Sequence, residues 1–506
     1  MVQTKADESG NINLGLNQLT IDDVIWRVIA LSEPNFRAIT PTEYKGGYRQ
    51  RYGAKVFEGK VVVVRSDLNS SVKQIDDNEW IVTGTDRIRA SVPTIEELSG
   101  YGAKVVVMAH QGTVGKRDCI SLKPHKEVLE RMLRKPVRFE SAHWYGSETV
   151  DIIERRMMDG EVFLLENLRM LSVEKSDLRD PKRIAELPDT YMRVLGRLAS
   201  FYVNDAFSTG HRWDGSILGF PHLLNIGGRL TKKEIKENKA LISDIQAPYA
   251  FLLGGVKVSG YIDFIKDSLD NNLVDYILAA GVLGIIAVLG TKREGKRIDL
   301  GKRTEQFLRE NELYQLIREV GTLAKEPQFV MPLDFKVELG REVQYMTPEE
   351  IHNHPRKDDI GIYGIGPKTV ELFKDRLGKS KTVYIKGSPT KDDDERFLPE
   401  AKELIDEVVR LHREARATTI LSGGDTNSLV SKFGYSGQRD FSYFTLAGGA
   451  ASEYHAGNLL PGLLMLNTSF NAFFGRPLET GLPLGYKVGF ELIAPKIPEN
   501  LKPFRR

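Results

Sequence analysis

The chain has 506 residues, of which 41% are hydrophobic and 28% charged, a composition typical of globular proteins. This length exceeds what one hydrophobic core supports, so we expect two or three domains. Lysine and arginine number 71 against 69 acidic residues, and the net charge of +2 predicts no general attraction to nucleic acid. The single cysteine, Cys119, excludes an intramolecular disulfide and a cysteine-based zinc site, which fits a reducing, cytoplasmic compartment.

The first 55 residues are interpreted as an N-terminal extension without a chemical motif. Residues 1–15 are polar and lack the apolar segment of a signal peptide. The spacing of apolar residues predicts an amphipathic helix over 21–32. The most apolar run of the chain, 276–290, has about 15 residues and is shorter than the ~20 that span a bilayer. We therefore expect no membrane partner, and interpret the run as a strand, a turn and the start of a helix.

Residues 56–228 are predicted to form a first α/β domain. Four continuous apolar runs, each ending in polar residues, cover 61–67, 103–110, 161–167 and 200–207. Such runs are typical of parallel strands buried on both faces. Helical patterns lie between them, for example over 87–101 and 123–135. This alternation indicates a doubly wound sheet.

A second alternation follows a charged helical segment at 229–246, which we interpret as a connecting helix. The second domain is predicted over 247–465, with strands at 249–255, 275–281, 328–335, 380–387, 417–425 and 440–449. Residues 466–506 contain several Pro and Gly and are expected to be an irregular tail. The predicted fold class is thus α/β, with two doubly wound parallel-sheet domains joined by a hinge helix. A monomer is expected.

Anion-binding side chains follow the four strands of the first domain. In open α/β sheets ligands bind outside the carboxyl ends of the strands. Arginine suits carboxylate and phosphate, because its planar group donates two parallel hydrogen bonds. Each residue taken singly also fits a structural or surface role, but their convergence predicts a site for a small acid. The candidates are Asp67, Asn69, Arg87, His110, Arg169, His211 and Arg212. Asp67 and Asn69 are expected to accept from a substrate hydroxyl and to hold the arginines.

Two Gly-rich turns in the second domain favour a phosphate site. In 421–433 a strand leads through Gly423 and Gly424 into a helix, whose N-terminus attracts anions. Asp425 is placed to reach Mg²⁺ bound to phosphates, and Thr426 to cap the helix or contact a phosphate. Taken alone, this segment also fits an ordinary N-capped helix. The turn at 253–264 has the same design, with Lys257 after Gly254 and Gly255.

Six segments in this order, at 65–69, 109–112, 164–169, 202–212, 253–259 and 422–426, resemble phosphoglycerate kinases, most closely the archaeal form. The resemblance covers roughly residues 56–465. It implies reversible phosphoryl transfer between 1,3-bisphosphoglycerate and ADP, giving 3-phosphoglycerate and ATP in glycolysis, with Mg²⁺ accompanying the nucleotide. The acid would bind the first domain and the nucleotide the second, and closure about the hinge would bring them together.

The resemblance also assigns roles to individual residues. Arg87 and Lys257 would flank the transferred phosphoryl group and act as catalytic residues. Asp425 would hold the metal. Matches to the acid-binding positions are Asp67, Asn69, Arg87, His110, Arg169 and Arg212. The nucleotide-binding candidates are Gly254, Gly255, Lys257, Gly281, Gly423, Gly424, Asp425 and Thr426.

The chain departs from the family pattern at several positions. Thr113 stands where an arginine is typical, and Lys116 or Arg117 could reach in from the same loop. Tyr261 replaces a second phosphate-binding lysine. The remaining departures are Ala279 and Ala280 in place of glycines under the adenine, and 386–397, where Asp393 only loosely matches a ribose-binding glutamate. Two alternatives therefore stay open, a kinase for a different small carboxylic acid and a binding protein with impaired catalysis.

Overall fold

The computed structural model describes residues 15–33, 36–77, 79–139, 146–171, 174, 191–220, 222–270, 272–293, 295–437, 439–480, 492 and 494–502. The chain divides into two compact units, one formed by Met1–Lys236 together with Gly457–Arg506 and the other by Glu237–Ala456. The first unit is therefore discontinuous in sequence. In the described part of the chain, no helix combines the length and the apolar character needed to cross a membrane.

A six-stranded sheet, parallel throughout, forms the centre of the first unit. Its strands are β1 (Val61–Ser66), β2 (Lys104–Met108), β3 (Val137–Phe139), β4 (Val162–Leu164), β5 (Phe201–Asp205) and β6 (Asn225–Gly227). Their order across the sheet is β3-β4-β2-β1-β5-β6. The chain thus turns back between β1 and β5, the kind of position at which doubly wound sheets bind ligands.

Helices cover both faces of this sheet, as the continuous apolar runs predicted. Val62 and Val64 of β1 pack in one core, and Val63 packs in another on the opposite face, because side chains alternate along a strand. The described helices of the unit are Ile21–Ser32, Pro41–Glu43, Tyr44–Tyr48, Arg49–Phe57, Asp86–Gly100, Lys123–Leu133, Ser147–Asp151, Ile152–Arg156, Tyr191–Leu198, Gly215–Leu218 and Pro461–Phe473, with short turns at Phe36–Ala38, Leu168–Met170, Phe207–Thr209 and Glu499–Leu501. A two-stranded ribbon, Val72–Asp76 with Glu79–Val82, follows β1.

The predicted helix over 21–32 is confirmed and belongs to the core of the first unit. Thr20 and Asp23 form a capping box, in which the Asp23 carboxylate accepts from the Thr20 backbone N–H at 2.8 Å. Ile21, Val24 and Ile25 are fully buried. The described residues of the predicted N-terminal extension therefore contribute to the core of the first unit.

The expectation of an irregular tail from residue 466 is wrong for its first residues. Helix Pro461–Phe473 crosses that boundary and lies in the first unit. This helix was not predicted because Asn467 and Asn471 interrupt the apolar pattern of its sequence. Both are buried. Asn467 accepts from the backbone N–H of Asn17 at 2.9 Å, and Asn471 donates to the Thr480 carbonyl at 3.1 Å, although the side-chain oxygen of Asn471 has no partner among the described residues.

The second unit is built on another six-stranded sheet whose strand pairs are all parallel. Its strands are β7 (Tyr249–Leu253), β8 (Tyr276–Ala279), β9 (Phe329–Val330), β10 (Thr382–Lys386), β11 (Thr418–Ser422) and β12 (Tyr443–Thr445). The order β9-β8-β7-β10-β11-β12 is that of a dinucleotide-binding sheet, and the chain turns back between β7 and β10.

Helices again cover both faces. The described helices are Ile262–Asp270, Gly281–Gly290, Lys302–Glu310, Ile317–Leu323, Pro348–Asn353, Pro367–Lys379, Leu398–Arg413, Gly424–Lys432 and Gly448–Ala456, with short turns at Val258–Tyr261, Tyr314–Leu316, Lys357–Asp359 and Glu395–Phe397. The apolar run 276–290 is strand β8, a turn and the helix Gly281–Gly290, as predicted. The fold class is thus confirmed.

Two further features of this region were not predicted. An antiparallel sheet joins Phe335–Leu339 to Glu342–Met346 and Gly361–Ile365 and holds the buried ion pair of Lys336 with Glu400. A small ribbon pairs Lys292–Arg293 with Lys296–Arg297.

The connecting helix is Arg229–Asp244, close to the predicted 229–246. Its first residue, Arg229, donates to the carboxylates of Asp22 and Glu97, so the helix is anchored at its start within the first unit. The buried Asp205, at the end of β5, accepts from the backbone N–H of Thr231 at 3.0 Å. The strand that leads to the predicted acid site thus also supports this helix.

Candidate functional site

The predicted acid-binding residues lie at the carboxyl ends of four strands of the first sheet. Asp67 and Asn69 follow β1, His110 follows β2, Arg169 lies in the turn Leu168–Met170 after β4, and His211 and Arg212 follow the turn after β5. Arg87 lies in the first turn of helix Asp86–Gly100. Parallel strands bring these positions to one edge of the sheet, beside the point where the chain turns back.

Asp67 organises the centre of this edge. Its buried carboxylate accepts hydrogen bonds from the Arg87 guanidinium and the Ser208 hydroxyl, and its other oxygen accepts from the backbone N–H of Asn69 at 3.1 Å. Burial acts to raise the pKa of Asp67, but Arg87 and these hydrogen bonds outweigh it, and the pKa lies below its ordinary value. Asp67 is therefore an ionised residue that holds an arginine, one of the two roles expected of it.

Asn69 has a structural role that was not predicted. Its side-chain oxygen accepts from the backbone N–H of Gly112 at 2.9 Å, which ties the loop after β1 to the loop after β2. Gly112 has a positive φ of 70°, and a Cβ there would lie 2.1 Å from the Asp118 carbonyl oxygen. With its oxygen in this bond, Asn69 is suited to donate to an acid through its amide N–H groups.

Four arginines act on His110, which is the clearest electrostatic sign of an anion site in this unit. Burial lowers the pKa of His110 well below its ordinary value, and Arg65, Arg169, Arg212 and Arg87 lower it further. Each guanidinium makes protonation of the ring less favourable. A neutral histidine surrounded by positive charge is suited to a ligand that carries several negative charges.

Arg65 was missed by the sequence analysis. It is fully buried within β1, donates from Nε to the Ser216 hydroxyl at 2.8 Å, and its Nη2 lies 3.1 Å from Nδ1 of His110. Ser216 in turn donates to the buried Glu174. The available signal was the charge itself: an arginine inside a run of buried valines needs a partner or a function.

Arg169 and Arg212 complete the cluster. Burial lowers the pKa of Arg169 to about 10, and the charge of Arg212 contributes in the same direction. Burial likewise lowers the pKa of Arg212, although Asp214 and Asp67 act to raise it. Crowded cations of this kind are stabilised when an anion joins them.

Thr113 and its neighbours lie at the rim. Thr113 is exposed, and its backbone N–H donates to Asp118 at 3.1 Å. Lys116 and Arg117 are exposed on the same loop. Their ability to replace the missing arginine stays a prediction.

In the second unit, packing accounts for some of the predicted glycines. A Cβ on Gly254 would lie 2.2 Å from the Ser388 carbonyl oxygen, and one on Gly281 would lie 2.9 Å from the same atom. Gly255 has a positive φ of 77° and donates its backbone N–H to that oxygen at 2.6 Å. These glycines let three loops meet where the sheet turns back, between β7 and β10.

Gly423 and Gly424 differ from the preceding glycines, because close packing is not what explains them. Gly423 precedes helix Gly424–Lys432 with a φ of 96°, and no side chain caps the helix. A Cβ on Gly424 would meet nothing within 4 Å, so packing does not require glycine there. By contrast, the Asp334 carboxylate accepts from the first turn of helix Pro367–Lys379. The uncapped N-terminus of helix Gly424–Lys432 is therefore suited to bind an anion from a ligand. The N-terminus of helix Pro367–Lys379 already binds the Asp334 carboxylate.

The capping role predicted for Thr426 is wrong, and its contact with a phosphate stays a prediction. Its hydroxyl donates to the Ser422 carbonyl at 2.7 Å and accepts from the backbone N–H of Gly387 at 2.8 Å. Both bonds are internal, and the side chain is buried. Thr426 therefore joins the loops after β10 and β11 and does not cap the helix.

Lys257 and Asp425 form an exposed ion pair, with Nζ and Oδ2 2.8 Å apart and side chains 81% and 70% exposed. An exposed pair of this kind contributes only about 0–1 kcal/mol. Lys257 can therefore leave Asp425 to bind a phosphate, and Asp425 can bind a cation instead, at little cost in free energy.

The donor groups around Asp425 bear on the expected Mg²⁺. Within the described residues, no group of three or more His, Cys, Asp or Glu side chains is placed to hold a metal ion. One exposed carboxylate, Asp425, fits Mg²⁺ that is bound mainly by substrate phosphates and water. The residues thus fit a metal that arrives with the nucleotide.

The positions at which the chain departs from the family pattern differ in their burial. Ala279 and Ala280 are fully buried in the cores on either side of the sheet. Asp393 is 76% exposed, and its carboxylate lies 3.9 Å from Nζ of Lys391. The side chain of Tyr261 lies outside the described residues.

Comparison with known proteins agrees with this geometry. A family model described as phosphoglycerate kinase matches residues 54–458. The chain belongs to the phosphoglycerate kinase family. By family it is a kinase, and the resemblance drawn from the six segments is confirmed.

Several phosphoglycerate kinases are similar over most of their length. That of Methanothermobacter thermautotrophicus is 30% identical over 415 residues, 81% of this chain and 95% of the relative. That of Methanothermus fervidus is 28% identical over 413 residues, with the same coverage. The crystal structure of phosphoglycerate kinase from Pyrococcus horikoshii OT3 has a TM-score of 0.69 at 27% identity, covering 82% of this chain and 98% of that one. The similarity to archaeal phosphoglycerate kinases is thus confirmed.

Proposed function

We propose that this protein is a phosphoglycerate kinase that transfers a phosphoryl group reversibly between 1,3-bisphosphoglycerate and ADP, giving 3-phosphoglycerate and ATP. The observation that carries the proposal is the arginine cluster around neutral His110, which fits an acid bearing both carboxylate and phosphate. The names of the relatives and the shared fold support it.

In the proposed reaction the acceptor is the carboxylate of 3-phosphoglycerate. Arg169 and Arg212 would hold the acid, and Asn69 would donate to it from its amide. Arg87, oriented by Asp67, would neutralise charge on the transferred group from the acid side. These residues bind and orient, and no covalent enzyme intermediate is required.

On the nucleotide side, Lys257 would contact the transferred phosphoryl group once it leaves Asp425. The uncapped helix at Gly424 would donate backbone N–H groups to phosphate oxygens. Mg²⁺, held through Asp425, would supply charge neutralisation to the phosphates. The predicted closure about the connecting helix stays part of the proposal.

A second candidate is a kinase for a different small carboxylic acid, which the exposed Thr113 favours because the family has an arginine there. Loss of one charge-assisted bond costs roughly 1.5–3 kcal/mol of binding and would change which acid is preferred.

The decisive experiment is a coupled assay of the purified protein with ATP, Mg²⁺ and 3-phosphoglycerate, beside calorimetry of each ligand. Turnover with tight 3-phosphoglycerate binding is expected. Turnover with another acid but not with 3-phosphoglycerate would favour the second candidate. Acid binding without ADP binding or turnover would support the impaired binding protein instead.

A further inference from the structure

Lys386 lies where the sheet of the second unit turns back. It is the last residue of β10, and the strand register places it beside Leu253, directly before the Gly254–Gly255 turn of β7. Ligands of doubly wound sheets bind outside the carboxyl ends of such strands. Lys386 and the turn that leads to Lys257 therefore lie at the same edge of the sheet.

The ammonium group of Lys386 is held beside the first turns of two helices. Its Nζ donates to the Ser452 hydroxyl at 2.8 Å, and Ser452 donates to the Gly448 carbonyl at 2.7 Å. A Cβ on Gly448 would lie 3.9 Å from Cε of Lys386 and 3.3 Å from Cα of Gly423. Gly448 begins one helix and Gly423 precedes the next.

This position is unfavourable for a cation alone. The N-terminal ends of helices carry partial positive charge and favour anions. Burial, and to a smaller extent the charge of Lys257, lower the pKa of Lys386 to about 8, although Glu453 acts to raise it. An anion placed among these groups would be stabilised by the lysine and by both helix ends.

We propose that Lys386 binds a phosphate oxygen of the nucleotide at the carboxyl ends of β7 and β10. The ligand class is a nucleoside di- or triphosphate. This inference rests on the proposed function and concerns the same site.

The test uses Lys386→Met, which keeps the length of the apolar stem and removes the charge. The matched control is Lys391→Met, a change at a 40% exposed lysine five residues further on. Calorimetry at pH 7 would compare ADP with adenosine, which has no phosphate. We expect Lys386→Met to weaken ADP binding about tenfold or more and to leave adenosine binding unchanged. Lys391→Met should bind ADP like the wild type.

Two outcomes would overturn the inference. One is ADP affinity that Lys386→Met does not change. The other is an equal loss of ADP and adenosine affinity, which would indicate a role in packing. Adenosine binding, which uses the same unit as Lys386, checks that this unit of the variant is folded.

The pH dependence gives an independent readout. Wild-type ADP affinity should fall between pH 7 and pH 9.5 as Lys386 loses its proton, whereas that of Lys386→Met should not show this fall. The neighbouring charged and titratable groups, Lys257, Asp425, Glu453 and Tyr384, are present in both proteins, so the difference between the curves isolates Lys386. Parallel curves would contradict the inference. A wild type that neither binds ADP nor transfers phosphate would refute the proposed function itself, whereas an active wild type matched by Lys386→Met would refute only the role of Lys386.

Discussion

Nη2 of Arg65 lies 3.1 Å from Nδ1 of His110, and this contact determines which ring nitrogen carries the proton. An arginine side chain only donates hydrogen bonds, so Nδ1 of His110 accepts. In the neutral ring the proton is then on Nε2. His110 can therefore act as a hydrogen-bond donor to an anion without being charged.

The first prediction follows from this contact. Long-range ¹H–¹⁵N NMR spectra should show His110 as the Nε2-protonated tautomer from pH 5.5 to pH 8, because burial and the nearby arginines keep its pKa well below the ordinary value. His352, half-buried in the other unit, provides an internal reference for the spectra. A titration of His110 near pH 6.5, or an Nδ1-protonated ring, would show that the contact with Arg65 does not persist.

The second prediction concerns Lys257→Ala. Turnover should fall about 10²-fold or more while affinities for ADP and 3-phosphoglycerate change little, since a charge directed at the transferred group acts mainly in the transition state. Steady-state kinetics and calorimetry measure the two effects separately. Lys266→Ala, in helix Ile262–Asp270, serves as the control. Wild-type turnover in Lys257→Ala would remove this lysine from the mechanism.

The third prediction separates the two ligands. Arg169→Ala and Arg212→Ala should each weaken 3-phosphoglycerate binding by roughly 1.5–3 kcal/mol, because each removes a charge-assisted donor from the first unit. ADP affinity should stay unchanged, as the predicted nucleotide residues belong to the second unit. Calorimetry that found ADP affinity reduced to the same extent would contradict this division of binding.

The fourth prediction is a pH dependence of stability. Burial raises the pKa of Asp205 to about 6, above the ~3.9 of an unfolded aspartate. Between these values the native state binds more protons than the unfolded state, so Asp205 makes the free energy of unfolding fall as pH rises from about 4 to 6.5, by up to roughly 3 kcal/mol.

Asp205→Asn should remove this contribution, since an amide does not ionise and its oxygen can still accept from Thr231. Urea titrations at several pH values would measure the difference between variant and wild type. Asp77→Asn, at an exposed aspartate, should follow the wild-type pH profile. A constant difference between Asp205→Asn and the wild type would mean that Asp205 does not titrate in this range.

The position of the candidate acid site could largely be predicted from the sequence, because the carboxyl ends of parallel strands lie at one edge of the sheet and the apolar runs mark those ends. This is why Asp67, His110 and Arg169 were placed correctly. Arg65 was missed because it lies inside such a run and not after it. The site roles themselves stay predictions until tested.

The nucleotide side was harder to predict, since its geometry depends on contacts between distant loops. The hydroxyl of Thr426 accepts a hydrogen bond from the backbone N–H of Gly387. Gly387 lies 39 residues earlier in the chain and is brought to Thr426 by the pairing of β10 with β11. The reason for glycine at 254 is likewise the Ser388 carbonyl, a contact that periodicity does not reveal. Local patterns identified the elements but not the hydrogen bonds between their ends.

The discontinuity of the first unit has a consequence for synthesis on the ribosome. Helix Pro461–Phe473 contributes buried residues to that unit but is translated after all of Glu237–Ala456. Nascent domains fold as units as they emerge. The inserted unit can therefore acquire its native structure while the N-terminal part of the chain still lacks a segment of its core. The first unit, although its strands are made first, is the last to be completed.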